Sequence, residues 1–224
     1  MKTVAFHTLG CKVNQYETEA MEELFEKNDY SIVNENDIAD IYVINTCTVT
    51  NLSDRKSRQF IRKAKKLNTK SIVAVVGCYS QVSPDEVAKI EGVDVIIGTS
   101  DRSRIVELCE RAMNSEEKIN IVRNIKNDKE FEKINIDEIK SKTRAYIKIQ
   151  DGCNQFCSYC IIPYARGPIR SRVCDDIIEE TVKLAKAGFK EIILTGIHVA
   201  SYGKDLKNIP LIDVIKKIGS IDGI

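Results

Sequence analysis

The chain has 224 residues, of which 43% are hydrophobic and 30% charged, and its 34 lysines and arginines nearly balance its 33 aspartates and glutamates. This length predicts one large domain or two modest ones. The formal net charge of +1 excludes a chain that is basic throughout, so any nucleic-acid contact has to come from a local patch. No apolar run reaches the length of a membrane span, and residues 1–10 lack a signal-peptide cleavage site. We therefore expect a cytoplasmic location and no membrane partner.

The first hundred residues alternate short apolar strands with amphipathic helices. Val and Ile dominate the strands, as is typical of strands that are buried on both faces. Repeated β-α-β units predict an α/β fold with a doubly wound parallel sheet over residues 1–113. The predicted strands are 3–8, 40–45, 71–76 and 93–97, and the predicted helices are about 15–27, 52–67, a helix that opens with a capping box at Ser83-Pro84, and about 101–113.

The rest of the chain changes character twice. Residues 114–143 are rich in Lys, Glu, Asp and Asn and predict a charged linker, in which 119–122 would be a short edge strand. A β-loop-α-β-α pattern follows over residues 144–224, with strands at 145–150 and 191–195 and helices at 176–187 and 210–218. Two strands cannot close a barrel, so this pattern predicts the start of a (β/α) barrel or open sheet that stops in mid-domain.

Three of the eight cysteines share one loop. Cys153, Cys157 and Cys160 follow a predicted strand directly. Three thiolates can hold three irons of a 4Fe–4S cluster and leave the fourth iron open, and S-adenosylmethionine can bind such an iron through its amine and carboxylate. A structural zinc site usually has four ligands, and a thioredoxin-like pair would leave Cys153 unexplained. The spacing therefore favours an iron–sulfur loop over these alternatives.

The same loop resembles the radical S-adenosylmethionine superfamily, in which an aromatic residue precedes the last cysteine, as Tyr159 does here. This resemblance implies that Tyr159 packs near the adenine of the cofactor, and that Thr195 and Gly196 meet its methionine part. A plain turn at the end of a strand would account for Gly196 equally well. The segments that are similar to the methylthiotransferase branch in particular are 161–167, 170–172 and 194–199.

Three further cysteines each follow a predicted strand of the first domain. Because the carboxyl ends of parallel strands meet at one edge of a sheet, Cys11, Cys47 and Cys78 can converge on a second iron–sulfur site. The alternative is three buried small side chains, since cysteine is among the most buried residues. In the methylthiotransferases, the three cysteines of such a domain bind an auxiliary 4Fe–4S cluster. Segments 7–19 and 45–51 are most similar to the subgroup that modifies threonylcarbamoyladenosine in tRNA.

The resemblance implies a transferase that adds a methylthio group to C2 of threonylcarbamoyladenosine next to the anticodon. It would use two 4Fe–4S clusters, S-adenosylmethionine and an electron donor such as flavodoxin or ferredoxin. The alternatives are isopentenyladenosine in tRNA, a ribosomal protein, or an inactive metal-binding fragment. No residue is assigned as a catalytic acid or base. The later barrel strands and the family's small C-terminal β-domain are absent, so the truncated chain is expected to bind clusters without necessarily turning over.

Three arginines, two further cysteines and one cationic helix lie outside these motifs. Arg166, Arg170 and Arg172 could contact substrate phosphate or pair with acidic groups. Cys109 and Cys174 match no family ligand and are predicted to be structural. One predicted helix carries seven cations, which form either a solvated face or a phosphate-contacting surface for tRNA; they are Arg55, Lys56, Arg58, Arg62, Lys63, Lys65 and Lys66.

Overall fold

The computed structural model describes residues 2–48, 51–115, 117–134, 144–207 and 209–224, with only the backbone course for 51–54. The chain divides into two compact units, Met1–Ile125 and Lys126–Ile224. The segment predicted as a linker, 114–143, is shared between them, because 117–125 belongs to the first unit and 126–134 to the second. Residues 135–143 lie outside the described part of the chain.

The first unit is built on a parallel sheet of six strands. Their order in the sheet is β2-β1-β3-β4-β5-β6, and every neighbouring pair is parallel. The order reverses between β1 and β3, which is the topological switch point where open α/β sheets bind ligands. The strands are β1 Lys2–Thr8, β2 Tyr30–Val33, β3 Ile41–Thr46, β4 Ile72–Gly77, β5 Val95–Ile96 and β6 Ile119–Asn120.

Helices cover both faces of this sheet. Side chains alternate along a strand, so Val43 packs into one core while its neighbours Tyr42 and Ile44 pack into the other. Helices α1 and α5 close the first core, and α2, α3 and α4 close the second. The prediction of a doubly wound parallel α/β sheet is therefore confirmed. The helices are α1 Lys12–Glu26, α2 Asn51–Leu67, α3 Cys78–Val82, α4 Pro84–Ala88 and α5 Ile105–Ser115.

Two local features of the first unit differ from the prediction. Strand β2 was not predicted, because it has four residues and lies at the sheet edge. Pro84 is the first residue of α4 as expected, but the predicted capping box is wrong, since Ser83 makes no side-chain cap hydrogen bond. Ser83 is the junction between α3 and α4, and its backbone N–H donates to the carbonyl of Tyr79 at 2.9 Å.

The second unit contains an open sheet of three described strands in the order β8-β7-β9. β7 and β9 are parallel, whereas β8 runs antiparallel to β7. Its core joins Ile147 and Ile149 of β7 to Leu184 of α7 and Val214 of α8. No described helix of either unit is long and apolar enough to span a membrane. The elements are β7 Arg144–Asp151, α6 Ile162–Arg166, β8 Arg170–Ser171, α7 Cys174–Lys186, β9 Glu191–Gly196 and α8 Leu211–Gly219.

Candidate metal centres at two strand edges

Three cysteines lie at the carboxyl edge of the six-stranded sheet. Cys11 immediately precedes α1 and is exposed, Cys47 follows β3, and Cys78 begins α3 directly after β4. Cys47 and Cys78 are buried, with 8% and 4% of their surface exposed. The topology therefore places all three on the edge that the sequence predicted, with Cys11 and Cys47 on either side of the switch point.

Backbone contacts draw the three loops together around the loop of Cys47. A Cβ added to Gly10 would lie only 3.0 Å from the Cβ of Cys47. On the other side, a Cβ at Gly77 would lie 2.6 Å from the carbonyl oxygen of Thr46, and the φ of +100° at Gly77 is one that glycine adopts without strain. The N–H of Tyr79 donates to Oγ1 of Thr46 at 3.3 Å. The loops of Cys11 and Cys78 thus both flank that of Cys47.

A buried amide connects the loop of Cys11 to the loop of Cys47. Nδ2 of Asn14 donates to the carbonyl of Leu9 at 2.9 Å and to that of Thr46 at 3.0 Å, while its Oδ1 lies 3.6 Å from Sγ of Cys11. Nδ2 of Asn45 donates in turn to the carbonyl of Asn14 at 3.0 Å. Asn14 was not predicted as part of the site, and its signal in the sequence is an amide only three positions after Cys11.

We expect Asn14→Ala to lower the free energy of unfolding by about 1–3 kcal/mol, because the buried carbonyl of Thr46 loses its donor. Urea denaturation followed by far-UV circular dichroism measures the change. Gln15→Ala is the matched control, because Gln15 is exposed and the change should lie within about 0.5 kcal/mol of the unchanged protein. Equal stability of the two variants would contradict a structural role for the Asn14 amide.

The second cysteine loop leaves the end of β7. Cys157 is exposed, and Cys153 and Cys160 are partly exposed. The loop is anchored at its start by the N–H of Cys153, which donates to the carbonyl of Gly167 at 3.0 Å, and at its end by the N–H of Cys160, which donates to the carbonyl of Cys157 at 2.9 Å. Phe156 has a φ of +48°, an unusual value for a side chain of its size. All three cysteines are therefore at least partly exposed on this loop.

A buried carboxylate lies directly under this loop. Asp151 contacts Nζ of Lys148 at 2.6 Å, Nη1 of Arg166 at 3.4 Å and Nη2 of Arg170 at 3.6 Å. Its Oδ1 accepts the N–H of Gly152 at 2.8 Å, next to the first cysteine. Burial by itself raises the pKa of Asp151, but the three positive charges outweigh it and hold that pKa well below its usual range. The carboxylate is thus ionised and fixes the start of the loop.

The three arginines behind the loop are buried ion-pair partners. Arg166 and Arg170 pair with Asp151, and Arg172 pairs with Glu180, with both side chains about 1% exposed. Of the two interpretations of these residues, the structure supports pairing with acidic groups. Their burial leaves no surface for a phosphate.

The other predicted cofactor residues lie near the same edge of the three-stranded sheet. Gly196 ends β9 beside Gln150 of β7, and a Cβ there would lie 2.9 Å from the Gln150 carbonyl oxygen. Thr195 is paired in register with Lys148. Tyr159 is 90% exposed. Close packing against Gln150 accounts for a glycine at position 196, and contact of these residues with S-adenosylmethionine stays a prediction.

The thiolate donors of the two cysteine triads fit iron–sulfur clusters. Among the described residues, no three His, Cys, Asp or Glu side chains are grouped so that they could hold one metal ion. In a 4Fe–4S cluster each thiolate binds a different iron, so its ligands need not converge on one point. All eight cysteines are free, and the two sets of three lie in loops at strand ends. Each set fits the ligand number of a cluster with one open iron.

The two remaining cysteines belong to the cores. Cys109 is completely buried in α5, and this burial raises the pKa of its thiol far above the usual value. Cys174 begins α7 and packs into the core of the second unit. Both positions agree with the structural role that the sequence predicted.

Comparisons with known proteins match a different family model within each of the two units. Residues 3–98 match the family described as "Uncharacterized protein family UPF0004", and residues 147–221 match the Radical SAM superfamily. The chain therefore joins a UPF0004 domain to a radical SAM domain. The predicted resemblance to radical S-adenosylmethionine methylthiotransferases is confirmed by the relatives it matches.

Curated relatives of this kind match almost the whole chain. It is 49% identical over 93% of its length to the threonylcarbamoyladenosine tRNA methylthiotransferase MtaB of Bacillus subtilis, and 42% identical over 99% to that of Aquifex aeolicus. A tRNA-2-methylthio-N(6)-dimethylallyladenosine synthase of Thermosipho melanesiensis is 37% identical over 100% of the chain. The chain spans about half the length of these relatives, namely 46%, 54% and 52%.

A solved structure shares the fold at low sequence identity. The radical S-adenosylmethionine methyltransferase TsrM of Kitasatospora setae, solved with cobalamin and a [4Fe-4S] cluster bound, superposes with a TM-score of 0.65 at 13% identity. The match covers 99% of this chain and 54% of that one. This likeness supports the α/β architecture.

Proposed function

We propose that this chain forms the cluster-binding part of a radical S-adenosylmethionine methylthiotransferase that acts on tRNA. The observation that carries the proposal is the pair of cysteine triads, each at the carboxyl edge of its own sheet. Cys153, Cys157 and Cys160 would hold the cluster that binds S-adenosylmethionine, and Cys11, Cys47 and Cys78 would hold the auxiliary cluster. When bound, the first cluster would supply the electron for reductive cleavage of S-adenosylmethionine, and the second would carry the sulfur to be transferred.

The residues around the loop of Cys153, Cys157 and Cys160 would position it for this chemistry. The fixed carboxylate of Asp151 positions Gly152 and the first thiol, and the N–H of Cys153 is held by the carbonyl of Gly167. Tyr159, Thr195 and Gly196 would then contact the adenine and methionine parts of S-adenosylmethionine. The exposed Cys157 leaves the loop accessible to an electron donor such as flavodoxin or ferredoxin. Eight free thiols agree with a cytoplasmic location, where cysteines stay reduced.

The substrate that we propose is C2 of threonylcarbamoyladenosine next to the anticodon. Its support is the identity to individual relatives: the MtaB proteins of Bacillus subtilis, Aquifex aeolicus and Thermotoga maritima are 49%, 42% and 36% identical to the chain. The dimethylallyladenosine synthase of Thermosipho melanesiensis is 37% identical, and a ribosomal protein uS12 methylthiotransferase of Acetivibrio thermocellus is 34% identical. Mass spectrometry of tRNA nucleosides from a deletion strain tests this choice. We expect methylthio-threonylcarbamoyladenosine to disappear while methylthio-isopentenyladenosine remains, and the reverse pattern would reject the proposed substrate.

Anaerobic reconstitution with iron and sulfide tests the cluster assignment. We expect about eight irons per chain, the content of two 4Fe–4S clusters, and about four after either triad is changed to alanine. Iron analysis and electron paramagnetic resonance of the reduced protein measure both clusters. The double variant Cys109→Ala, Cys174→Ala is the control and should retain all of the iron.

Two results would reject the two-cluster assignment. One is an iron content of about four that does not change when Cys11, Cys47 and Cys78 are replaced. The other is a colourless protein that takes up zinc in preference to iron, which would instead favour a metal-binding fragment without radical chemistry.

A further inference from the structure

Helix α2 has one buried face and one cationic face. Ile61 and Ala64 are fully buried and Phe60 nearly so, and all three pack against the sheet. The opposite face is polar and carries the exposed side chains of Arg55, Lys56, Arg62 and Lys66. These four cations form the α2 basic face. Because the whole chain has a formal net charge of only +1, this concentration of charge is a local feature.

The other cations of α2 are used within the fold. Nη1 of Arg58 donates to the hydroxyl of Tyr79 at 3.1 Å, and Nζ of Lys65 contacts Oδ2 of Asp94 at 2.9 Å. Lys63 donates to the side chain of Asn36. Among the side chains that the structure describes, the α2 basic face has no ion-pair partner. Its charges are therefore available to a ligand outside the chain.

The spacing of these charges suits a polyanion. Positions 55, 62 and 66 are separated by two turns and one turn, so they form one row along the helix, about 16 Å long at about 1.5 Å per residue. Lys56 lies beside this row. At the far end, Arg62 and Lys66 border a groove of about 800 Å³ that also contains Lys89 and two carboxylates, those of Glu86 and Glu91. The other end of the row, at Arg55, lies at the start of α2.

That end of the helix is joined to the edge that carries the cysteines. Arg58 bonds to Tyr79, which directly follows Cys78, and His7 of β1 stacks on Phe60 of α2 with ring centroids 3.7 Å apart. Helix α2 itself begins four residues after Cys47. A chain that lies along the α2 basic face would therefore reach the edge where Cys11, Cys47 and Cys78 meet.

We propose that the α2 basic face docks the phosphate backbone of the RNA substrate and leads it to the three-cysteine edge of the first unit. The inference rests on the proposed action on tRNA. A row of fixed cations on a helix supplies sequence-independent phosphate contacts, which position a nucleic acid without reading its bases. It also explains how a chain of almost neutral net charge gains a nucleic-acid surface.

The test replaces the four cations by glutamine, which keeps a good helix former at each position. Binding of the chain to a fluorescent tRNA anticodon stem-loop is measured by anisotropy at several salt concentrations. We expect the quadruple variant to bind on the order of tenfold more weakly, and the slope of log K against log salt to fall by about 3, because about four phosphate contacts are lost. Circular dichroism verifies that the variant is folded.

The matched control removes the same number of charges from exposed positions of the second unit, with Lys186, Lys190, Lys216 and Lys217 changed to glutamine. It should keep both the affinity and the salt slope. Equal losses of tRNA affinity in the two variants would mean that only net charge matters, and this result would overturn the proposal. An unchanged salt slope in the α2 variant, or no tRNA binding by the unchanged chain, would also overturn it. The nucleoside analysis of the deletion strain is independent of this result, so failure of the surface is distinguishable from failure of the proposed substrate.

Discussion

Replacing Gly152 by alanine should displace the loop that carries Cys153, Cys157 and Cys160. Gly152 has a φ of +70°, and an added Cβ would lie 1.9 Å from the carbonyl oxygen of Pro168 and 2.6 Å from that of Gly167. Both atoms are backbone, so neither can rotate away. We expect the free energy of unfolding to fall by more than about 2 kcal/mol in total. This loss exceeds the cost of a left-handed conformation alone, which is about 1–2 kcal/mol. We also expect most of the iron of this loop to be lost, because the hydrogen bond from Cys153 to Gly167 breaks.

Gly188 provides the control for conformation without collision. Its φ is +97°, but a Cβ there would have no atom within 4 Å. Gly188→Ala should therefore cost only about 1–2 kcal/mol and leave the iron content unchanged. Urea denaturation and iron analysis of the reconstituted proteins give both quantities. If the two variants lose equal stability and equal iron, the contact between Gly152 and Pro168 does not position the loop.

The variant Asp151→Asn should be strongly destabilised, although it differs by one charge and no volume. The change breaks the buried ion pairs that Lys148, Arg166 and Arg170 share through Asp151, and breaking a buried pair typically costs about 3–5 kcal/mol. Arg170 keeps a second carboxylate, that of Asp128, at 3.5 Å. Asp222→Asn is the matched control, because Asp222 is exposed, and it should change stability by less than about 0.5 kcal/mol. Denaturant unfolding of the three proteins measures the difference.

The pH dependence follows from the direction of the pKa shift. Because the folded pKa of Asp151 lies below its unfolded value, its charged form stabilises the fold at every pH above about 4, and this contribution is lost only as the pH falls further. The loss in Asp151→Asn should therefore be the same at about pH 6 and at about pH 8. A loss that shrinks strongly between these values would show that the carboxylate is not ionised throughout this range.

Periodicity predicted the long elements because their side-chain pattern reflects a face that packs. Strand 40–45 and helix 52–67 were located to within about a residue of β3 and α2. The pattern fails where few residues contribute to a core. Strand β2 has four residues and three are only partly buried, and β8 has only two residues, both of them polar.

The cysteine positions could be predicted because they depend only on the topology of the sheet. In a parallel sheet every strand ends at the same edge, so the placement of Cys11, Cys47 and Cys78 followed from three strand ends. The contacts that hold the loops could not be predicted in this way. Asn14 reaches Thr46 and Arg166 reaches Asp151 only after the strands have paired, and a sequence pattern carries no information on which carboxylate an arginine meets.

One cysteine triad comes from a single short segment and the other from three separate strand ends, and this difference sets the order in which they assemble. Cys153, Cys157 and Cys160 lie within eight residues of one another, so their thiols can meet as soon as this short segment turns back. Cys11, Cys47 and Cys78 belong to three βα junctions, and they meet only after β1, β3 and β4 have paired, a step that closes long loops and is intrinsically slower. During refolding with iron present, the local triad should capture metal first, and iron uptake at the distant triad should report completion of the six-stranded sheet.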